Sequence, residues 1–252
     1  FGIRPDEIQK NVNEARSKGA EVVVLLSHNG FDVDQKLATE ITGIDVVLTG
    51  HTHDAVPEAI RINNTLILSS GSHGKYLGRI DLKVSGGEVV DANSTLIPIF
   101  SDVIAPDIET TKLIGELRAP YEKECRRIIG QAGTLLYRRG NFNGSWDDVI
   151  CDAIRDQKDV EIALSPGFRW GTTLLPAQPI TIDDIYTQTS MNYPAVYRTH
   201  MTGEQLKNML EDVCDNLFNA NPYYQQGGDM VRVGGLSYVC APKELIGKRI
   251  QN

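Results

Sequence analysis

Two short apolar runs each end on histidine. Val22-Val23-Val24-Leu25-Leu26 leads into Ser27-His28-Asn29-Gly30, and Ile44-Asp45-Val46-Val47-Leu48 leads toward Gly50-His51-Thr52-His53-Asp54. Between them, over Phe31 to Thr42, Val33, Leu37, Ala38 and Ile41 recur at helical spacing. Both apolar runs have the pattern of buried strands, so the segment reads as a βαβ unit, whose crossover is right-handed in nearly all proteins. The strands are then parallel, with their carboxyl ends on one edge. Adjacent strands lie ~4.8 Å apart, and open α/β sheets bind their ligands at that edge. His28, His51 and His53 can therefore converge on a metal, with Gly50 letting the backbone bend beside them. The rival reading is a hydrogen-bonded polar cluster. Imidazole suits zinc, iron, copper and nickel, and added carboxylates move the preference toward manganese.

The rest of the chain sets the frame. Ile3 to Lys18 reads as an amphipathic helix, with Ile8, Val12 and Ala15 on one face and Gly19 as its stop. Thr65 to Leu68 is a further strand, and the Gly- and Ser-rich loop from Ser69 to Lys75 holds His73, either near the metal edge or an ordinary loop residue. Tyr76 to Val84 and Glu88 to Pro98 flank Gly86-Gly87 as a hairpin. Asp107 to Ile129 reads as a long polar helix interrupted at Pro120, or as two shorter helices. Beyond it, Trp146 to Ile154 is helical, Val160 to Leu164 a strand, and Pro179 to Tyr186 an extended stretch entering a helix capped by Thr181. Val196 to Met201 reads as a strand, Thr202 to Leu217 as a helix, and Val231 to Cys240 as a last strand. These signals give an α/β chain in three parts: a layered block over 1–100, a helical linker over 101–130 and a second α/β domain over 131–252.

Composition narrows the function. At 41% hydrophobic and 23% charged the chain is that of an ordinary globular protein. A formal net charge of -8 argues against nucleic acid or an anionic membrane as partner. No run approaches the roughly twenty apolar residues of a membrane span. The 4 cysteines, Cys125, Cys151, Cys214 and Cys240, are scattered without a C-x-x-C pair, so a zinc knuckle is not indicated. They are either small buried hydrophobes or disulfide partners whose pairing the sequence leaves open.

Ser27-His28-Asn29-Gly30 followed by Gly50-His51-Thr52-His53-Asp54 resembles the last two metal motifs of the calcineurin-like metallophosphoesterases, in their 5'-nucleotidase branch. That branch carries further ligands in motifs placed earlier, and the chain begins at Phe1 without them, so a longer protein is expected. Met201-Thr202-Gly203-Glu204-Gln205-Leu206-Lys207 is similar to a strand-to-helix segment of the branch's C-terminal domain. The nucleotide signatures are altered: Ser165-Pro166-Gly167-Phe168-Arg169 stands where a nucleotidase has its Gly-rich Arg loop, and Met191 where a Phe stacks on the base. The segments 168–176, 189–195 and 225–235 instead resemble the SoxB family of sulfur-oxidation hydrolases.

That resemblance implies a periplasmic hydrolase with two Mn2+ ions, zinc or iron being the substitutes. It would release sulfate from a sulfonated persulfide on a SoxYZ-type carrier protein. It places His28 and His51 on one metal and His53 on the other, and makes Arg169 a clamp for the sulfonate, a planar fork suiting tetrahedral oxyanions. Asn192 and Asp229 are weaker candidates for the substrate channel, the alternative for each being structural: Asn192 in a turn before Pro194, Asp229 after the Gly227-Gly228 turn. Arg232 would meet either a carrier or a neighbouring carboxylate, Tyr223 and Tyr224 an entry groove or plain packing, and His200 no metal. Residues 1–252 alone are expected to bind metal weakly and be inactive, because three imidazoles cannot hold two cations. Two rival functions stand beside this one: a nucleotidase or cyclic-nucleotide phosphodiesterase, and a non-catalytic carrier-docking module.

Overall fold

The structure is a computed structural model that describes residues 2–138, 140–168, 171–189, 195–225 and 227–251. The chain forms two compact units, Phe1–Pro106 with Ala220–Gly227, and Asp107–Asn219 with Gly228–Asn252.

The first unit opens with α1 (Pro5–Ser17), β1 (Val24–Ser27), α2 (Phe31–Glu40) and β2 (Val46–Thr49). β3 (Ile60–Ile62), β4 (Thr65–Ser69) and a long hairpin of β5 (Tyr76–Ser85) and β6 (Glu88–Pro98) follow. The sheet order is β1-β2-β4-β3. β1, β2 and β4 run parallel, and β3 is antiparallel to β4. Val47 and Ile67 from the sheet pack with Val33, Leu37 and Ala38 of α2 and Val12 of α1. The βαβ unit is thus present with both histidine loops on one edge. The fully buried pattern expected for β1 is not: Val24 is 46% and Leu26 78% exposed. β1 is an edge strand, and only Val23 and Leu25 turn toward the helices.

The second unit begins with α3 (Ile108–Arg118) and α4 (Glu122–Cys125), so the polar stretch is two helices broken at Ala119–Tyr121. Pro120 explains the break, since it removes a donor and pushes the preceding residue from helical geometry. Ile128–Gln131 is a strand, β7, where a helix end was expected. It pairs antiparallel with β9 (Pro179–Thr181). Between these lie α5 (Ser145–Lys158) and β8 (Ala163–Ser165); α6 (Ile182–Thr189) and α7 (Gly203–Phe218) come after. The expected strand at Val196–Met201 belongs to no strand, and its first residues through His200 are exposed. The expected last strand is split into β10 (Arg232–Gly234), which pairs with β8, and β11 (Val239–Cys240), which pairs with β12 (Ile250–Gln251). α7 starts on a capping box: Thr202 Oγ1 accepts from the Gln205 N–H, and Gln205 Oε1 from the Thr202 N–H.

Charged groups hold this unit at two buried points. Asp147 on α5 is fully buried between Arg138 (2.7 Å) and Arg232 (3.1 Å). Arg232 also meets Asp229 at 3.1 Å, and Arg138 donates to the carbonyls of Gln188 and Pro166. Second, Glu211 on α7 accepts backbone N–H bonds from Gly247, Arg249 and Ile250, tying the chain end to the helix. Burial would raise its carboxyl, but the three N–H donors outweigh burial and hold it below the usual range.

A carboxyl lowered in the folded state stabilises above its unfolded pKa, and that stability drains as pH falls through the folded value. Glu211→Gln, which turns one acceptor oxygen into a donor, is expected to lose about 1–3 kcal/mol at pH 7. The difference in stability between variant and wild type should shrink as pH falls below about 4. A pH series of denaturant titrations checks this, and a difference constant from pH 7 to 3 would contradict it.

Candidate metal centre

The two histidine loops are laced together by their own short polar residues. Ser27, at the end of β1, donates from Oγ to the buried Asp34 carboxylate (2.6 Å) and accepts from the Asn29 N–H and its side-chain amide. Burial is the main influence on Asp34 and pushes its carboxyl up, against the Ser27, Thr49 and Asn29 hydrogen bonds. This hub fixes the loop bearing His28. Register does the rest: Ser27 lies beside Thr49, and the Gly50 N–H donates to the Ser27 carbonyl at 3.0 Å. The Phe31 N–H reaches Thr52 Oγ1 at 3.2 Å, joining the first loop to the Gly-His-Thr-His turn. On the other side, the Asp54 carbonyl accepts from Ser69 Oγ and the Gly71 N–H, which ties the turn to the loop after β4.

The histidines occur as two pairs. The rings of His28 and His51 lie 5.1 Å apart at 66°, and those of His53 and His73 lie 5.9 Å apart at 77°. Among the described residues no three His, Cys, Asp or Glu side chains stand close enough to hold a metal ion. The single point of convergence for His28, His51 and His53 is therefore not what the loops build. His51 and His53 flank Thr52 and go to different neighbours. His51, His53 and His73 all have positive φ, at 81°, 61° and 60°. Such backbone is uncommon outside glycine, costs about 1–3 kcal/mol per residue and gathers at functional sites.

The spacing of His28 and His51 fits two imidazoles on one cation. With a metal–nitrogen distance of about 2.1 Å, two imidazoles on one ion at roughly tetrahedral or right angles place their centroids about 4.5–5.2 Å apart. The 5.1 Å of His28 and His51 falls in that range. Leu26, His28, Thr49, Gly50, Ser70 and Gly78 are among the residues that line an adjoining cavity of about 390 Å³.

The strap Ala220–Gly227 was not legible as part of this site. It lies in the first unit, its 3-10 turn Pro222–Tyr224 packed on α2. Tyr223 donates to Glu40 at 2.6 Å, and Lys36 donates to Asn221 at 2.7 Å while sitting 4.1 Å over the Tyr223 ring. The strap ends on Gly227, where a Cβ would lie 2.2 Å from His51 Nε2. The Gly227-Gly228 step was visible as a turn, but its neighbour was not.

Gly227→Ala must displace the His51 ring, whereas Gly228→Ala, at a similar positive φ, meets nothing within 4 Å. Gly227→Ala is expected to weaken metal binding at this candidate centre by about 10-fold or more, the scale of lost support around a ligand. Gly228→Ala should show backbone strain alone, read as a small fall in Tm with metal affinity kept. Equal affinities in calorimetric titration of the two full-length variants would contradict the contact.

Arg169 and Asn192 lie outside the described residues. Asp229 is buried in the second unit against Arg232, which puts Arg232 on neighbouring carboxylates and gives Asp229 the structural contact that was the alternative to the channel. His200 lies on an exposed stretch.

Residues 130–252 match the model of the 5'-nucleotidase C-terminal domain. The chain thus carries a 5'-nucleotidase-type C-terminal domain, preceded in sequence by a sheet whose loops bear His28, His51 and His53. It is 38% identical to the sulfate thiohydrolase SoxB from Thermus thermophilus, whose structure it matches at a TM-score of 0.95 over 100% of this chain and 46% of that one. A 5'-nucleotidase precursor from the same species shares the fold at a TM-score of 0.76 and 19% identity, over 98% of this chain and 52% of that one. The trifunctional nucleotide phosphoesterase protein YfkN of Bacillus subtilis is 23% identical over 244 residues, 90% of this chain and 16% of its own. The chain therefore spans about half or less of these relatives.

Proposed function

We propose that the protein is a metal-dependent hydrolase that releases sulfate from a cysteine-linked thiosulfonate on a SoxYZ-type carrier. The observation that carries this is the likeness to SoxB, 38% identity at a TM-score of 0.95, against 19% and 0.76 for the nucleotidase. In that reaction water adds to the terminal sulfur, the sulfur–sulfur bond breaks, and its electron pair leaves on the carrier's persulfide. Two bound Mn2+ ions, or zinc or iron in their place, would supply the positive charge that makes water acidic near neutral pH. His28 and His51 would hold one and His53 the other, with His73 setting the His53 ring. The Ser27–Asp34 hub and Gly227 keep these rings in place. Arg169 would take the sulfonate oxygens in a planar fork, with Asn192 beside the substrate. Asp229 would support that region through Arg232. The periplasm is the compartment this reading calls for. No helix among the described residues is long and apolar enough to cross a membrane.

A nucleotidase is the second reading, favoured by the C-terminal domain match and by YfkN. Parallel assays of the full-length protein separate the two. Sulfate release from sulfonated carrier without appreciable AMP turnover is the expected result; AMP turnover without sulfate release would overturn the proposal.

A further inference from the structure

Two of the four thiols meet inside the second unit. Cys214, on α7, is fully buried in the cluster of Leu210, Met230 and Ile250, and Cys240, on β11, packs against the same cluster. Their sulfurs lie 3.3 Å apart, both as free thiols in this structure. The approach is set by main chain rather than by side-chain chance. Cys240 is the register partner of Ile250 on β12. The Ile250 N–H in turn donates to Glu211 Oε1 at 2.7 Å, and Glu211 lies one turn before Cys214 on α7. Helix and strand are thus clamped at the point where the sulfurs face.

We infer that Cys214 and Cys240 form a disulfide that staples α7 to β11 wherever the chain meets an oxidising medium. A disulfide needs sulfurs at about 2.05 Å, so closure draws them together by about 1.2 Å, within reach of small side-chain rotations. The loop it closes spans 26 positions and carries the strap residue Gly227. Buried thiols acting only as small hydrophobes would require neither the facing sulfurs nor the clamp.

The oxidant is a small disulfide or a dithiol–disulfide oxidoreductase. With oxidised glutathione, the partly exposed Cys240 attacks as thiolate and one glutathione leaves. Cys214 then loses its proton, attacks the mixed disulfide at the Cys240 sulfur, and the second glutathione leaves. Two protein thiols and one glutathione disulfide become one protein disulfide and two glutathione thiols. Burial first, and then the Cys240 contact, push the Cys214 thiol up to about 12. Closure is therefore slow in the folded chain and quick during folding.

That the protein meets such a medium in the cell rests on the periplasmic reading above, and the experiment separates the two. The full-length protein is refolded in a glutathione redox buffer, alkylated in denaturant and digested with trypsin. Cleavage after Lys207, Arg232 and Lys243 puts the two cysteines on separate peptides, Asn208–Arg232 and Val233–Lys243. The expected product is these two joined, parted by reductant, with Cys125 and Cys151 alkylated. Alkylation of all four, or a link from Cys214 to another cysteine, overturns the inference. Reductant should also lower the wild-type Tm by several degrees and leave Cys240→Ala unmoved; an equal fall in both overturns it too. If the buffer forms the link but protein trapped by alkylation as it is isolated from cells carries both thiols free, the compartment reading fails and the disulfide stands.

Discussion

His51→Ala in the full-length protein is expected to abolish sulfate release, while His200→Ala leaves it largely intact. The contrast follows from where each ring sits. His51 stands in a turn whose backbone is held at φ 81°, beside His28 and against Gly227. Removing its imidazole takes one ligand from a proposed two-histidine corner, and no other described His, Cys, Asp or Glu completes a set around it. His200 lies on an exposed stretch outside any strand or helix. Loss of activity in His51→Ala should come with loss of bound manganese and an almost unchanged Tm, since alanine keeps the Cβ and with it the backbone strain already present at residue 51. Equal losses in the two variants would mean that the site is misassigned.

The largest effect on stability is expected from Asp147→Ala. Its carboxylate is fully buried between Arg138 at 2.7 Å and Arg232 at 3.1 Å, and Asp229 is the second carboxylate of the group. Two guanidiniums and two carboxylates balance in charge. Taking one carboxylate away leaves an uncompensated cation where water cannot reach it. Breaking a buried pair from one side costs about 3–5 kcal/mol, a large share of a typical domain's stability of about 5–15 kcal/mol. Surface pairs such as Lys112–Glu116 should give no measurable change, because both partners are largely exposed. Denaturant titration of the variants checks this. A loss below about 1 kcal/mol for Asp147→Ala would contradict the role given to the buried group. Double replacement of Asp147 and Arg138 by apolar residues should recover part of the loss, as the pair's desolvation is then avoided.

How much of this was legible in the sequence depends on how local each signal is. The βαβ unit, the hairpin at Gly86-Gly87 and the helix starting at Thr202 were readable, because each rests on spacing within a dozen or so residues. The break at Pro120 was readable for the same reason. Val24 and Leu26 looked like core, since nothing in an apolar run tells an edge strand from a central one. Val196–Met201 looked like a strand, yet a strand needs a partner, and pairing is not written locally. The same limit hid most of the site. A neighbouring carboxylate was in view for Arg232, but Arg138 and Asp147 join the group from distant positions. Gly227 and the Cys214–Cys240 pair likewise depend on contacts made only by the fold. Resemblance, rather than periodicity, supplied the split of the histidines between two cations; in the structure the rings stand as the pairs His28–His51 and His53–His73.

The most direct test is anomalous diffraction at the manganese edge from crystals of the full-length protein grown with that metal. Two peaks are expected, one within bonding distance of His28 and His51, the other of His53. Peaks far from all three rings, or a single ion reached by none of them, would contradict that.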